Sequence, residues 1–196
     1  KDDIVGVSYE SESGYGSGIL VIIDAQTNKL KWKSNGHFLQ QVWTGLYNVS
    51  IKDLDKDGQN EIIIAAGRTY TGQIWIIDGK NHTIKSTHIF SSDNISEFYS
   101  MTVDDVDNDG EDELLAASSS MLYAIRPSDW AILWKVSLYN NSKKPVLRTS
   151  DLDGDGKKET ILCKGNLQIV NGSDQSFWTS FENNYVNFDL FDYNAD

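Results

Sequence analysis

Apolar residues along this chain come in short alternating or continuous runs, and no helical period of apolar positions is sustained over 11 or more residues. Runs such as Gln73-Ile-Trp-Ile-Ile-Asp78, Met121-Leu-Tyr-Ala-Ile125 and Leu167-Gln-Ile-Val170 are rich in Ile, Val, Tyr and Trp. They are bounded by Gly, Asn, Asp and Ser, which is how β-strands separated by tight turns read. Further runs at Thr83-Ile-Lys-Ser-Thr-His88 and Ala131-Ile-Leu-Trp-Lys-Val136, and at Tyr47 to Ile51, Tyr99 to Val103 and Pro145 to Thr149, complete a recurring set of four strands.

The strand pattern is punctuated by one polar motif. Asp53-Leu-Asp-Lys-Asp-Gly-Gln-Asn-Glu61, Asp105-Val-Asp-Asn-Asp-Gly-Glu-Asp-Glu113 and Asp151-Leu-Asp-Gly-Asp-Gly-Lys-Lys-Glu159 align without gaps as Asp-x-Asp-x-Asp-Gly-x-x-Glu. Their first residues are 52 and 46 residues apart, and a shortened copy begins 41 residues later at Asp192, with Asn194 and Asp196 in the next alternate positions. A repeat of this length built only from short strands predicts an all-β fold, a β-propeller of about four four-stranded blades. The expected divisions are 1–52, 53–104, 105–150 and 151–191, with a further repeat starting at 192–196. The N-terminus fits, since Asp3-Ile-Val-Gly6 parallels Glu61-Ile-Ile-Ile64 and Gly18 to Asp24 parallels Gly72 to Asp78. Residues 1–196 are therefore expected to form a single propeller domain or a fragment of a larger propeller.

The motif has the chemistry of a calcium loop. Calcium takes 6–8 oxygen ligands, and alternate carboxylates at positions 1, 3 and 5 of a loop can converge on one centre. Gly at position 6 permits the sharp turn, a backbone carbonyl at position 7 can follow, and Glu at position 9 returns a fourth carboxylate. The candidate ligands are Asp53, Asp55, Asp57, Gln59 and Glu61; Asp105, Asp107, Asp109, Glu111 and Glu113; Asp151, Asp153, Asp155, Lys157 and Glu159; and, in the shortened copy, Asp192, Asn194 and Asp196. An EF-hand would need Glu at position 12 and flanking helices. Position 12 is Ile64, Ala116 or Leu162, and strands flank the loops, so that motif is excluded. Magnesium, which demands strict octahedral geometry and retains water, suits a four-carboxylate loop less well than calcium.

These loops and the apolar strands that follow them resemble the FG-GAP/VCBS-type repeats of integrin-α-like β-propellers. The resemblance implies a loop joining the first two strands of a blade and binding calcium through the matching positions. Glu stands where that family often has Asp at the last ligand position. A partial resemblance links Ile22-Ile-Asp-Ala-Gln-Thr-Asn-Lys-Leu-Lys-Trp32 to PQQ-type propeller repeats, with Asn28 where a turn glycine is usual.

Charge supports the cation reading and narrows the partners. The net charge is −12, and the proposed ligands contribute four carboxylates in each of three loops, twelve in all. Unneutralised, such clusters repel. An acidic chain is a poor match for nucleic acid or an anionic membrane surface, and no apolar run approaches the roughly 20 residues of a membrane-spanning helix. One cysteine, Cys163, precludes an intrachain disulfide and reads as a buried filler. Glycosylation sequons at Asn48, Asn81, Asn94, Asn140 and Asn171 carry little weight in an Asn-rich chain. His37, His82 and His88 lack metal-ligand spacing, and no nucleophile, phosphate-loop or zinc motif is present. Trp32, Trp75 and Trp134 are expected to pack between blades. Phe38, Trp43 and the group Phe177, Trp178, Phe181 and Tyr185 are candidates for a protein- or carbohydrate-binding face.

The expected function is that of a non-enzymatic calcium-binding module, extracellular, cell-surface or periplasmic, in protein or glycan binding or adhesion. The alternatives are a propeller domain of a polysaccharide-degrading or quinone-dependent enzyme, and a purely structural segment of a surface protein.

Overall fold

A computed structural model describes residues 2–9, 18–35, 44–68, 71–91, 95, 97–139 and 143–190. The expected contributions of His37, Phe38, Trp43, Asn94, Asn140, Asp192, Asn194 and Asp196 fall outside these residues. Fourteen strands and no α-helix are present among the described residues, and none has a helix long and apolar enough to cross a membrane.

The strands form four antiparallel sheets. Sheet 1 is β1 (Asp3–Val7), β2 (Leu20–Asp24) and β3 (Lys29–Lys33). Sheet 2 is β4 (Gly45–Lys52), β5 (Glu61–Arg68), β6 (Thr71–Asp78) and β7 (Ile84–Ile89). Sheet 3 is β8 (Ser100–Asp104), β9 (Glu113–Ala117), β10 (Met121–Ile125) and β11 (Ile132–Ser137). Sheet 4 is β12 (Val146–Ser150), β13 (Glu159–Val170) and β14 (Phe177–Tyr185).

In each sheet neighbouring strands are consecutive in sequence, a simple up-and-down order. Each sheet from the second onward starts one strand before its acidic loop: β4, β8 and β12 pair with the strands that follow the loops. The loop thus joins the first two strands of a sheet.

Sheet 4 reaches four strand segments by a different route. A straight 12-residue strand would span about 40 Å. Yet Gly172, just past the end of β13, donates its N–H to Oε1 of Glu159 at its start, at 3.2 Å. The run therefore doubles back on itself. Gly165 lies within it at φ 82°, a left-handed conformation that glycine adopts without a Cβ clash. Glu159 to Cys163 pair with β12, and Gly165 to Val170 pair with β14.

The turns before the outer strands share one construction. Oδ1 of Asp24 accepts the N–H groups of Gln26 and Thr27, Oδ1 of Asp78 those of Lys80 and Asn81, and Oδ1 of Asn171 those of Ser173 and Asp174. The fourth residue after each of these heads, and after Arg126 at the matching turn of sheet 3, has positive φ: Asn28, His82, Gln175 and Trp130. Asn28 at φ 54° fills the conformation expected of a turn glycine.

The chain divides into two compact units, Lys1–Met101 and Thr102–Asp196. In the first, sheets 1 and 2 pack through Leu20, Ile22, Leu46, Ile62, Ile64, Ala66, Trp75 and Ile77, with Trp32 against the cluster. In the second, sheets 3 and 4 pack through Leu115, Ala117, Leu122, Ala124, Leu147, Leu162 and Val170, with Trp134 against it. The three tryptophans thus pack between sheets, as expected. Trp32 and Trp134 hold the same outer-strand register, paired with Ile22 and Ala124, whereas Trp75 lies on the inner strand β6. Inner strands are buried on both faces: alternate residues Ile63 and Ala65 of β5 and Leu114 and Ala116 of β9 are also fully buried. This explains why inner strands read as continuous apolar runs while β7 and β11 alternate with period two. Cys163 is free and buried in β13, and burial pushes its thiol pKa up.

A candidate metal centre in each acidic loop

The three loops fold alike because their carboxylates organise their own backbones. In the first, Asp53 accepts the N–H groups of Asp57 (3.1 Å) and Gly58 (2.9 Å), and Asp57 accepts that of Gln59 (2.8 Å). In the second, Asp105 accepts from Asp109 (3.2 Å) and Gly110 (3.0 Å), and Asp109 from Glu111 (2.8 Å). In the third, Asp151 accepts from Gly154 (2.7 Å) and Gly156 (3.0 Å), and Asp155 from Lys157 (2.8 Å). Position 6 is Gly58, Gly110 or Gly156 with φ of 86°, 91° and 88°. Position 4 is also left-handed, at Lys56, Asn108 and Gly154. The Asn and Gly there were a sequence signal for this second turn.

Position 9 anchors each loop from below. Glu61, Glu113 and Glu159 begin β5, β9 and β13 and are buried, at 2%, 3% and 0% exposure. Each accepts the N–H of the position-2 residue: Leu54 at 2.9 Å, Val106 at 3.1 Å and Leu152 at 2.8 Å. The bond spans seven residues and closes the loop at its neck.

Carboxylate oxygens converge in all three loops to within 4.8 Å of one another. The converging residues are Asp53, Asp55 and Asp57 in the first loop; Asp105, Asp107 and Glu113 in the second; and Asp151, Asp153 and Glu159 in the third. Positions 1 and 3 are common to all. The third partner is position 5 in the first loop and position 9 in the others. Two of the members left out, Glu61 and Asp155, are held by other side chains. Lys85 of β7 bonds Glu61 Oε1 at 2.8 Å and Asp55 Oδ2 at 2.6 Å. Ser173 donates its hydroxyl to Asp155 Oδ2 at 2.6 Å. These contacts also set the electrostatics: Lys85 holds the Asp55 carboxyl below its usual range, and Ser173 followed by the Lys157 N–H does the same for Asp155.

The Glu113 carboxyl is shifted by its surroundings. Burial, opposed by the Val106 N–H and reinforced by the charges of Asp107, Asp109 and Asp105, pushes its pKa up to about 7. The fold therefore favours its protonated form. Metal-free stability from this group is highest below the unfolded value near 4.5 and falls as pH rises through about 7. With chelator present, wild type should lose up to about 3 kcal/mol more than Glu113→Gln between pH 5 and 7.5. Thermal melts of both proteins at the two pH values measure this, and parallel pH profiles would refute it.

The second and third loops are tied together within their unit. Lys158 donates its backbone N–H to Val106 O at 3.0 Å. Its ammonium reaches Asp104 Oδ1 at 2.6 Å, while Thr149 donates to Asp104 Oδ2 at 2.6 Å. Sequence reasoning missed this clamp, because Asp104 lies one residue outside the motif and its partners come from the next sheet.

The sequence of residues 53–116 matches a known family, the FG-GAP-like repeat. That match covers the first two acidic loops and the strands between them. No curated protein matches the chain. Among solved structures, the fold is similar to that of Saccharomyces cerevisiae Sqt1, with a TM-score of 0.70 and 13% identity over 99% of this chain and 48% of that one. A second similar structure is BBS1N in complex with ARL6DN, soaked with lead, with a TM-score of 0.48 and 17% identity over 69% of this chain and 42% of that one. The chain spans about half the length of the Sqt1 chain. Its four up-and-down sheets are blades of a β-propeller. In the FG-GAP-like blades the acidic loops lie between the first two strands.

Proposed function

We propose that the chain is an extracellular, non-enzymatic propeller module whose blade loops bind calcium and so hold a surface for protein or glycan recognition. The observation that carries this reading is the threefold recurrence of one loop, with converging carboxylates and a buried position-9 glutamate at its neck. Hard oxygen donors at this density suit calcium over softer metals, and the loops contain no histidine or cysteine. The carbonyls of Gln59, Glu111 and Lys157 complete the proposed donor sets.

Location follows from magnitude. Extracellular modules bind calcium with Kd of about 10⁻⁴–10⁻³ M. At roughly millimolar calcium each such site adds about 0.4–1.4 kcal/mol, and in a calcium-poor cytosol the gain vanishes. The surface proposed for recognition is β14, where Phe177, Trp178, Phe181 and Tyr185 are 45%, 48%, 50% and 37% exposed. Exposed aromatic side chains along one strand suit a sugar ring or an apolar protein anchor.

Calorimetric titration of chelator-treated protein with calcium chloride tests the metal reading. Heat saturating with Kd of roughly 10⁻⁴–10⁻³ M is expected. No binding up to about 10 mM calcium, well above that range, would sink it.

A further inference from the structure

The outer strand of every sheet carries an irregularity at one place. Pairing shifts between Ile22 and Ile23, Ile76 and Ile77, Ala124 and Ile125, and Ile169 and Val170. The residue left over on the outer strand is Lys31, Lys85, Leu133 or Trp178. Each lies seven residues after the head of the preceding turn, Asp24, Asp78, Arg126 or Asn171. A bulge leaves its extra residue unpaired and re-aims its side chain.

Where the bulge residue is lysine, it reaches across the intervening strand to the carboxylate that starts the next one. Lys85 holds Glu61 at 2.8 Å. Lys31 holds Asp3 at 2.7 Å. Asp3 pairs with Asp24 in sheet 1 as Glu61 pairs with Asp78 in sheet 2, so the two contacts are equivalent. Where the bulge residue is Leu133 or Trp178, the position-9 glutamate instead joins the aspartate cluster. Arg126, whose charge reaches Glu113, is held by two bonds to Asp129, at 3.0 and 2.8 Å.

Resting on the calcium reading above, we infer that the bulge residue sets the ion affinity of each blade loop, and that Lys85 serves as a built-in cation for the first loop. Its ammonium bridges the position-3 and position-9 carboxylates, at 2.6 and 2.8 Å. Calcium ligated by these carboxylates at about 2.3–2.6 Å competes with the ammonium for them, and the lysine charge beside the loop opposes the ion. The loops of sheets 3 and 4 carry no such competitor at the bulge and fill first.

Reciprocal exchange tests this. Calorimetric titration of the chelator-treated chain with calcium should show two tight sites and a third weaker by roughly tenfold or more, the scale of one charge-assisted hydrogen bond. Lys85→Leu, which installs the residue of the matching β11 position, should bring the third site into the tight class. Leu133→Lys should remove one tight site. Asp53→Asn should abolish the weak class alone, which assigns it to the first loop. Circular dichroism checks that each variant folds, and if Lys85→Leu does not, the other two decide. Three equal sites in wild type, with Lys85→Leu unchanged, overturn the lysine inference and leave the calcium reading intact. Loss of a tight site in Asp53→Asn likewise overturns it. No calcium binding in wild type defeats both.

Discussion

Chelation should lower the melting midpoint of the wild-type chain by roughly 6–20 °C relative to the same protein in about 10 mM calcium. The figure follows from linkage. A site with Kd of 10⁻⁴–10⁻³ M gains about 1.4–2.7 kcal/mol at that concentration, because the ion binds the fold and not the unfolded chain. The two loops without a lysine competitor together supply about 3–5 kcal/mol, and each kcal/mol moves the midpoint of a protein this size by about 2–4 °C. The effect should saturate with calcium and be weak with magnesium, which retains its water. Scanning calorimetry with EDTA, calcium or magnesium measures it. Equal midpoints in EDTA and calcium would remove the stabilising role.

The second large effect is expected in the core beneath the second loop. Leu115 is fully buried in the cluster between sheets 3 and 4, two residues after Glu113 on β9. Leu115→Ala should cost about 2–5 kcal/mol, from lost apolar burial plus the cavity left behind. Denaturant unfolding in EDTA and in calcium would separate two roles for this position. If β9 only supports the sheet, both conditions lose the same amount. If its packing also sets the aim of Glu113, the calcium-dependent increment shrinks as well. A loss below about 1 kcal/mol would mean that the site collapses around the missing atoms.

Both predictions join the loops to the sheets, and it was in that joint that sequence and structure differed in what they revealed. The loops were legible because a left-handed turn and converging carboxylates need particular residues at particular spacings. Asp at alternate positions and Gly at position 6 are side-chain and backbone requirements local to nine residues. The structure adds that position 9 does double service, closing the neck through the N–H of Leu54, Val106 or Leu152. Four strands per repeat were also legible, from period-two outer strands and continuous inner ones. The repeat written from loop to loop is out of step with the sheet, because pairing places β4, β8 and β12 with the strands after the loops. The reversal inside Glu159 to Val170 was legible because Leu167 to Val170 read as a strand of its own beyond Gly165, and the bond between Gly172 and Glu159 bears it out.

The sequence by itself determined the strand rhythm, the threefold loop and its donor types, since each depends on short-range periodicity and on residue chemistry. Only the tertiary structure decided which carboxylates meet. Glu61 and Glu113 occupy the same motif position, yet one faces a lysine and the other two aspartates. That difference is made by a residue 20 or more positions away in sequence on the outer strand, brought beside the loop by sheet pairing and aimed by a bulge. Ion affinity depends on charges within a few ångströms in space, and no local pattern of residues encodes that distance.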